Sequence, residues 1–431
     1  MADITPENVA LVGIEDVLPE GLLYCHDQVA AVEKAFKRAG VHALFLPHCD
    51  FGCEEVVGQL AKRMGVPVLI WGNRDPYPDY PGGKDRDTQC GTLASTKALQ
   101  RYGVPFSYIL NTDVEDAPLK RGFEDFCAVA NVVRRFRGMR ILLAGTRPQA
   151  FLSVIYNEDE LLRRFGIEVY PWGSAAWLEA ADRILAERAD EVTREMQAFA
   201  RQVDVSDLTY ERQRRQAALV LALCEMAERH DIDGVAMECW SLLPERYGIS
   251  GCQIVGQLCQ RGLPCACEGD VLGAVTAVMM QAAALDKEPV FFSDITSRHP
   301  EQDNTELLWH CGPYPPGLAH PDTPPKSTFH GRGAFQLKNG PITIARLDAA
   351  NGRHSLFSGE GRGVDGPPKK GNYVWLEVDC WADWEEKIVF GPYIHHVAGA
   401  YGQYSQILSE ACKYLGGVSP DPMRPVKRVL G

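Results

Sequence analysis

Short apolar runs alternate with helix-periodic segments through the first two thirds of the chain. Runs at 9–12, 43–46 and 66–70 read as strands, and the spacing of apolar positions over 28–39 and 53–64 predicts amphipathic helices between them. The alternation returns at 140–145, 167–170, 234–237 and 263–266, with a helix over roughly 250–261. A charged region over about 176–230, rich in the helix formers Ala, Leu, Glu and Arg, has the length of a spine or a subunit contact. Alternating β and α units predict parallel sheets covered by helices. Beyond about residue 290 Pro and Gly increase, and the alternating runs 341–347 and 373–378 read as antiparallel strands. A last helix pattern over 402–415 stops at Gly416-Gly417, where a glycine cap fits. The expected fold is α/β: two parallel-sheet α/β domains over 1–135 and 136–290, followed by a β-rich C-terminal domain over 291–431.

Composition narrows the function classes. With 431 residues, 45% of them hydrophobic, the chain can bury a large core. A net charge of −13, from 44 basic and 57 acidic residues, gives no global attraction to nucleic acid or to an anionic membrane. The basic runs 134–137 and 212–215 lie in helix-like segments and read as solvated faces. No apolar run is long enough to span a bilayer, and the N-terminus lacks the basic and apolar regions of a secretory signal, so a cytoplasmic location is expected. The fourteen cysteines then read as reduced thiols. Cys49 with Cys53 and Cys265 with Cys267 are close in sequence, but neither has a second pair at zinc-ribbon spacing. Neither a G-x-G-x-x-G fingerprint nor a phosphate loop follows any strand.

The candidate chemistry lies at strand ends. Cys267-Glu268-Gly269-Asp270 joins an apolar strand to an apolar helix, and Glu238 with Trp240 follows the strand before it. Imidazoles enter at Trp309-His310-Cys311 and at Ile394-His395-His396. Carboxylates with histidines suit a divalent cation. Each group has an ordinary alternative: Asp270 as a helix cap, the histidines as hydrogen-bonded core residues. In the first domain, Arg74 after one strand, and Arg86 and Gln89 in the Gly/Asp-rich loop 82–91, can meet a distal hydroxyl or an anionic substituent. A loop salt bridge with Asp85 or Asp87 explains the arginines equally well.

Four segments, taken in order, carry a family resemblance: Arg86-Asp87-Thr88-Gln89-Cys90-Gly91-Thr92; Cys267-Glu268-Gly269-Asp270 with Gly273; Leu308-Trp309-His310-Cys311-Gly312; and Gly391-Pro392-Tyr393 running into His395-His396-Val397-Ala398. Over most of its length the chain resembles the L-fucose isomerase group in a shorter form. The resemblance implies a metal-dependent aldose–ketose isomerase that works through an enediolate on a monosaccharide or modified monosaccharide, with Mn²⁺ or another divalent cation. It also implies a homo-oligomer, trimeric or hexameric, in which the first-domain loop 85–90 of one subunit borders a neighbour's site. Family metal sites use two carboxylates and one histidine. Asp270 matches the second carboxylate and His396 the histidine. The stretch Ser250-Gly251-Cys252-Gln253 lacks the first carboxylate, so Glu238 is the nearest acid, with His310 or Cys252 as other ways to complete the sphere. Glu238 and Asp270 are then expected to bind metal and move protons. Glu268 is expected to orient them, and Trp240, His310, His395, Arg74, Arg86 and Gln89 to meet the sugar. Epimerisation, dehydration and non-catalytic carbohydrate binding are the competing readings.

Overall fold

Two parallel sheets and one largely antiparallel sheet organise the chain. The structure is a computed structural model that describes residues 2–76 and 86–431. Loop residues 82–85, singled out in the sequence, lie outside that range. The described residues form two compact units, one running to Arg134 with Glu410–Leu415 and Val426–Gly431, the other comprising Arg135–Ser409 and Gly416–Pro425.

In the first unit, strands β1 (Leu44–His48), β2 (Val68–Gly72) and β3 (Ser107–Tyr108) form a parallel sheet in the order β1-β2-β3. Apolar faces of the helices His26–Arg38 and Glu54–Met64 bury Val29, Val32, Phe36, Val56 and Leu60 with Val68 and Ile70 of the sheet. The run 9–12, expected as a strand, pairs with no strand among the described residues. Val9 closes a turn onto the Pro6 carbonyl at 2.9 Å and packs beside Leu69 and Trp71, while Leu11 and Val12 stay exposed. An apolar run becomes a strand only where a sheet edge receives it.

In the second unit, β4 (Arg140–Ala144), β5 (Glu168–Trp172), β6 (Gly234–Met237) and β7 (Cys265–Cys267) form a parallel sheet in the order β5-β4-β6-β7. The region 176–230 is not one helix but three, Ser174–Glu187, Ala189–Ala200 and Tyr210–Arg229. Arg188 leaves helical geometry at φ −127°, ψ 44°, and Asp204 closes a local turn by accepting from the Ser206 amide at 2.9 Å. After β7 comes the helix Val271–Ala283, every residue of which is buried. It is apolar all round and packs on β6 and β7 as well as on β12 (Gly340–Ala350) and β15 (His396–Tyr401).

The remaining strands are β8 (Phe291–Arg298), β9 (Thr305–His310), β10 (Lys326–Ser327), β11 (Gly333–Gln336), β13 (Arg353–Val364), β14 (Asn372–Glu377) and β16 (Val418–Pro422). The sheet runs β10-β11-β14-β9-β8-β15-β12-β13-β16, and an added pairing of β13 with β14 closes its middle into a ring. Asn351-Gly352, both at positive φ, turn β12 into β13 in a two-residue hairpin. Phe291, Leu308, Ile344, Phe357, Val374 and Val397 fill the interior. The α/β class, with two parallel sheets and then a β-rich region, is as the sequence predicts. Among the described residues no helix is long and apolar enough to cross a membrane.

Gly399 on β15 faces Phe291 of β8, where an added Cβ would lie 2.2 Å from the ring. Gly399→Ala should therefore lower stability by about 1–3 kcal/mol in urea unfolding. Glu306 on β9 is buried, one of its oxygens has no hydrogen-bond partner among the described residues, and burial pushes its carboxyl up to about 7. A raised folded value means stability is intact below the unfolded value of about 4.3 and is lost as pH rises through the folded one. Unfolding free energy should fall between about pH 5 and about pH 8 by an amount that Glu306→Gln removes.

Candidate active site

The carboxyl ends of β4, β6 and β7 bring three loops together, as parallel sheets do where they bind ligands. Glu268 and Gly269, just after β7, both have φ 65°, and a Cβ on Gly269 would lie 3.0 Å from the Arg147 amide nitrogen in the loop after β4. Glycine meets that close approach without strain, whereas Glu268 holds a left-handed conformation that costs about 1–2 kcal/mol in an L-residue. The turn lifts the Glu268 side chain away from the sheet. Its Oε1 accepts from Trp240 Nε1 at 2.7 Å, and its Oε2 lies 3.1 Å from His396 Nε2.

Asp270 caps the helix Val271–Ala283 by accepting from the Gly273 amide at 2.9 Å. It is fully buried, and Arg346 of β12 donates to both of its oxygens. His396 Nδ1 is 2.9 Å from Asp270 Oδ2. Burial would raise the Asp270 carboxyl, but the Arg346 charge and the His396 hydrogen bond hold it far below the usual range. Burial would keep His396 neutral, but hydrogen bonding with Asp270 and Glu268 raises its imidazole; the ionised Asp270 accepts the Nδ1 hydrogen, and Nε2 faces Glu268.

Four adjacent strands complete the arrangement: His310 ends β9, Asp294 lies on β8, His396 begins β15 and Arg346 lies on β12. His396 and Asp294 are direct cross-strand partners, with Nε2 and Oδ1 3.5 Å apart. His310 Nε2 is 3.7 Å from the same Asp294 oxygen. Burial would keep His310 neutral, but the Asp294 charge, Cys311 and Glu268 raise it to about 10. The Cys311 amide also donates to His310 Nδ1 at 2.8 Å. Whether the ring is charged or neutral with Nδ1 accepting, Nε2 carries a hydrogen. Burial pushes the Glu268 carboxyl up, yet hydrogen bonding and charge from His396 bring it below the usual range. Cys311 is held down to about 5 by its hydrogen bond from Cys252, against burial and with help from His310.

Glu268 Oε2, Asp294 Oδ1, His310 Nε2 and His396 Nε2 are all buried, and apart from their contacts with one another none has a hydrogen-bond partner among the described residues. Buried polar atoms without hydrogen-bond partners are costly, and these two carboxylate oxygens and two imidazole nitrogens each sit 3.1 to 3.7 Å from another of the set. The ligand atoms of Asp294, His395 and His396 lie within 4.8 Å of one another. Oxygen and imidazole donors in this arrangement fit a divalent cation.

The structure gathers Asp270, His396, His310, His395 and Trp240. Phe151, from the loop after β4, packs its ring on Trp240, His395 and His396 at 5.5, 5.8 and 5.4 Å. Glu238 is one strand away with both oxygens engaged, by the Thr146 amide at 3.1 Å and by the Ser174 and Ser241 hydroxyls at 3.3 and 3.0 Å. Cys252 faces Cys311 at 3.0 Å. Arg74, Arg86 and Gln89 belong to the first unit. There Arg74 approaches Asp113 at 3.9 Å, Arg86 donates to the Arg74 carbonyl at 3.2 Å, and the Gln89 amide donates to Asp75 at 3.0 Å. Sequence reasoning passed over Asp294, Phe151 and Arg346. A lone Arg inside the apolar alternation of β12 was the signal for the last, because such a charge is buried only when paired.

Comparison with known proteins adds a family. Residues 2–137 match the model for the N-terminal domain of fucose/sulfoquinovose isomerases. Over 408 residues the chain is 22% identical to a sulfoquinovose isomerase of Priestia megaterium, covering 93% of this chain and 90% of the relative. It is 27% identical over 289 residues to a sulfoquinovose isomerase of Clostridium sp., covering 65% and 61%. A third, from Alkalicoccus urumqiensis, is 22% identical over 344 residues.

Removing Arg346 would leave the buried Asp270 carboxylate without its cation. Arg346→Met should cost about 3–5 kcal/mol in urea unfolding, and a double Arg346→Met, Asp270→Leu protein should recover much of that loss. Equal instability of single and double variants would show that the pair does not matter.

Proposed function

We propose that this chain, a member of the fucose isomerase-like family, is a sugar isomerase that interconverts the aldose and ketose forms of a modified monosaccharide. Sulfoquinovose is the substrate we infer, since it is the sugar named for the relatives. The observation that carries the reading is the set of four buried polar atoms, on Glu268, Asp294, His310 and His396, that meet only one another inside the second unit among the described residues.

Isomerisation moves a proton between adjacent carbons and adjusts protons on two oxygens. Asp294 and His396 would hold a divalent cation, with Glu268 as the second carboxylate and His395 at the rim. Such a cation supplies Lewis-acid polarisation of the substrate's oxygens. This set keeps the two carboxylates and one histidine implied by the resemblance but moves both carboxylate roles. Asp270 is filled by four donors, and Glu238, held by three, lies one strand away. Asp270 instead fixes His396, and Glu238 ties the loops after β4 and β6. Glu268 takes the carbon-bound proton, its carboxylate aimed by Trp240. His310 Nε2–H donates to an oxygen on the far side of Asp294. Phe151 and Trp240 shield the sugar from water.

Arg74, Arg86 and Gln89 fit the anionic substituent if the first unit of one copy borders the site of another, in a trimer or hexamer. Fourteen free thiols support a reducing, cytoplasmic setting.

Protein purified with Mn²⁺ and given sulfoquinovose in deuterated water should form the ketose with carbon-bound deuterium. Glu268→Gln should lower turnover by about 100-fold or more, and Asp294→Asn should lose bound metal in elemental analysis. Water loss, or inversion without ketose, would transfer the chain to the dehydratase or epimerase reading. Tight sugar binding with no metal and no turnover would make it a binding protein. If copies share a site, mixing inactive Arg86→Ala and Glu268→Gln proteins after subunit exchange should restore part of the activity.

A further inference from the structure

Two thiols lie immediately behind His310. Cys311 follows it at the end of β9, and Cys252 opens the helix Cys252–Gln260. Their sulfurs are 3.0 Å apart, so closure to a bond of about 2.05 Å needs a movement of only about 1 Å. The proximity is built in. The turn at 328–333 touches both segments, through the Ser250 amide on the His330 carbonyl at 2.7 Å, Arg332 Nε on the Ser250 hydroxyl at 3.1 Å, and the Gly333 amide on the Gly312 carbonyl at 3.2 Å. Access is unequal, since Cys252 is 3% exposed and Cys311 is only partly buried. An outside reagent meets Cys311 first and finds Cys252 waiting behind it.

We propose that Cys252 and Cys311 form a dithiol–disulfide site that exchanges with small-molecule disulfides. The Cys311 thiolate attacks one sulfur of the disulfide, forming a mixed disulfide and releasing one thiolate. Cys252, giving its proton to that released thiolate, attacks the Cys311 sulfur and expels the second thiolate. From one thiolate and one thiol the two cysteines lose two electrons and one proton, and the small disulfide becomes one thiol and one thiolate; the proton that Cys311 released to solvent on ionising makes the second thiol. Bridging would also draw Cys311 Sγ from His310 Nδ1, which it now approaches at 3.3 Å. This inference goes beyond isomerisation and does not rest on it.

The test treats the full-length reduced protein with oxidised glutathione, followed by intact-mass measurement and peptide mapping. The expected product is lighter by two hydrogens and carries a link between the peptides of Cys252 and Cys311, reversed by dithiothreitol. Cys252→Ser should stop at a stable glutathionyl adduct on Cys311, and Cys311→Ser should leave Cys252 unmodified. Cys239→Ser and Cys267→Ser, at the buried thiols of neighbouring segments, should still form the link. A persistent glutathionyl adduct on the wild-type protein, a link through other cysteines, or full retention of the thiols at equilibrium would each overturn the proposal. All readouts are independent of sugar turnover.

Discussion

A guanidinium buried to 1% exposure is the constraint on which the second unit depends. Arg346 loses its hydration on folding and recovers it only through Asp270, which it grips with both terminal nitrogens, and Asp348, which accepts from Nε at 3.0 Å. Asp270 in turn caps the central helix and holds His396. One ion pair thus links the parallel sheet, the helix that follows it and two strands of the closed ring. Asp348, though bonded to the same arginine, has its carboxyl raised by burial, so the charge of Arg346 is answered chiefly by Asp270. An ionised Asp270 fixes the His396 tautomer.

Two pairs of carboxylates then differ in what they can do. Asp270 accepts from four donors and Glu238 from three, and both hold structure. Glu268 and Asp294 each present an oxygen whose neighbours among the described residues are only the site's own imidazoles. Chemistry on a ligand needs an unfilled lone pair, and a saturated carboxylate has none to give. Two residues of one turn bracket the same imidazole, Asp270 at Nδ1 while capping the helix and Glu268, in the left-handed region, at Nε2.

Periodicity made the fold legible wherever an apolar run met a partner. β1, β2, β4, β5, β6, β7, β12 and β14 all fall on runs that the spacing marked, and the closing helix stops at Gly416 in the left-handed region, as a glycine cap requires. The run 9–12 failed because pairing is a property of the sheet and not of the run. The region 176–230 breaks twice: helix formers surround Arg188, so composition does not reveal that one-residue break, and the second, over 201–209, falls at Val203-Asp204-Val205-Ser206-Asp207. At the site, the segments were legible and the roles were not. Glu268-Gly269-Asp270 stands out as a cluster, but that its two carboxylates meet opposite nitrogens of His396 goes with a positive φ at a non-glycine residue, which no spacing rule announces. Asp294 sits after Phe291-Phe292-Ser293 in an ordinary strand and gains its meaning only opposite His396, a pairing of residues a hundred positions apart.

Closure of the ring has a mechanical consequence. His310, Asp294, His396 and Arg346 come from four successive strands of a sheet with no free edge between them, so none of these strands can slide without breaking ladders on both sides. Their spacing is as rigid as the hydrogen-bond register. Entry, release and any change of shape during turnover therefore fall to the loops after β4, β6 and β7, where Phe151, Trp240 and Glu268 ride. Amide hydrogens should exchange slowly along the ring and faster at that rim, and variation in substrate choice among related chains has the same place to act: the loops can be rewritten while the strands behind them stand still.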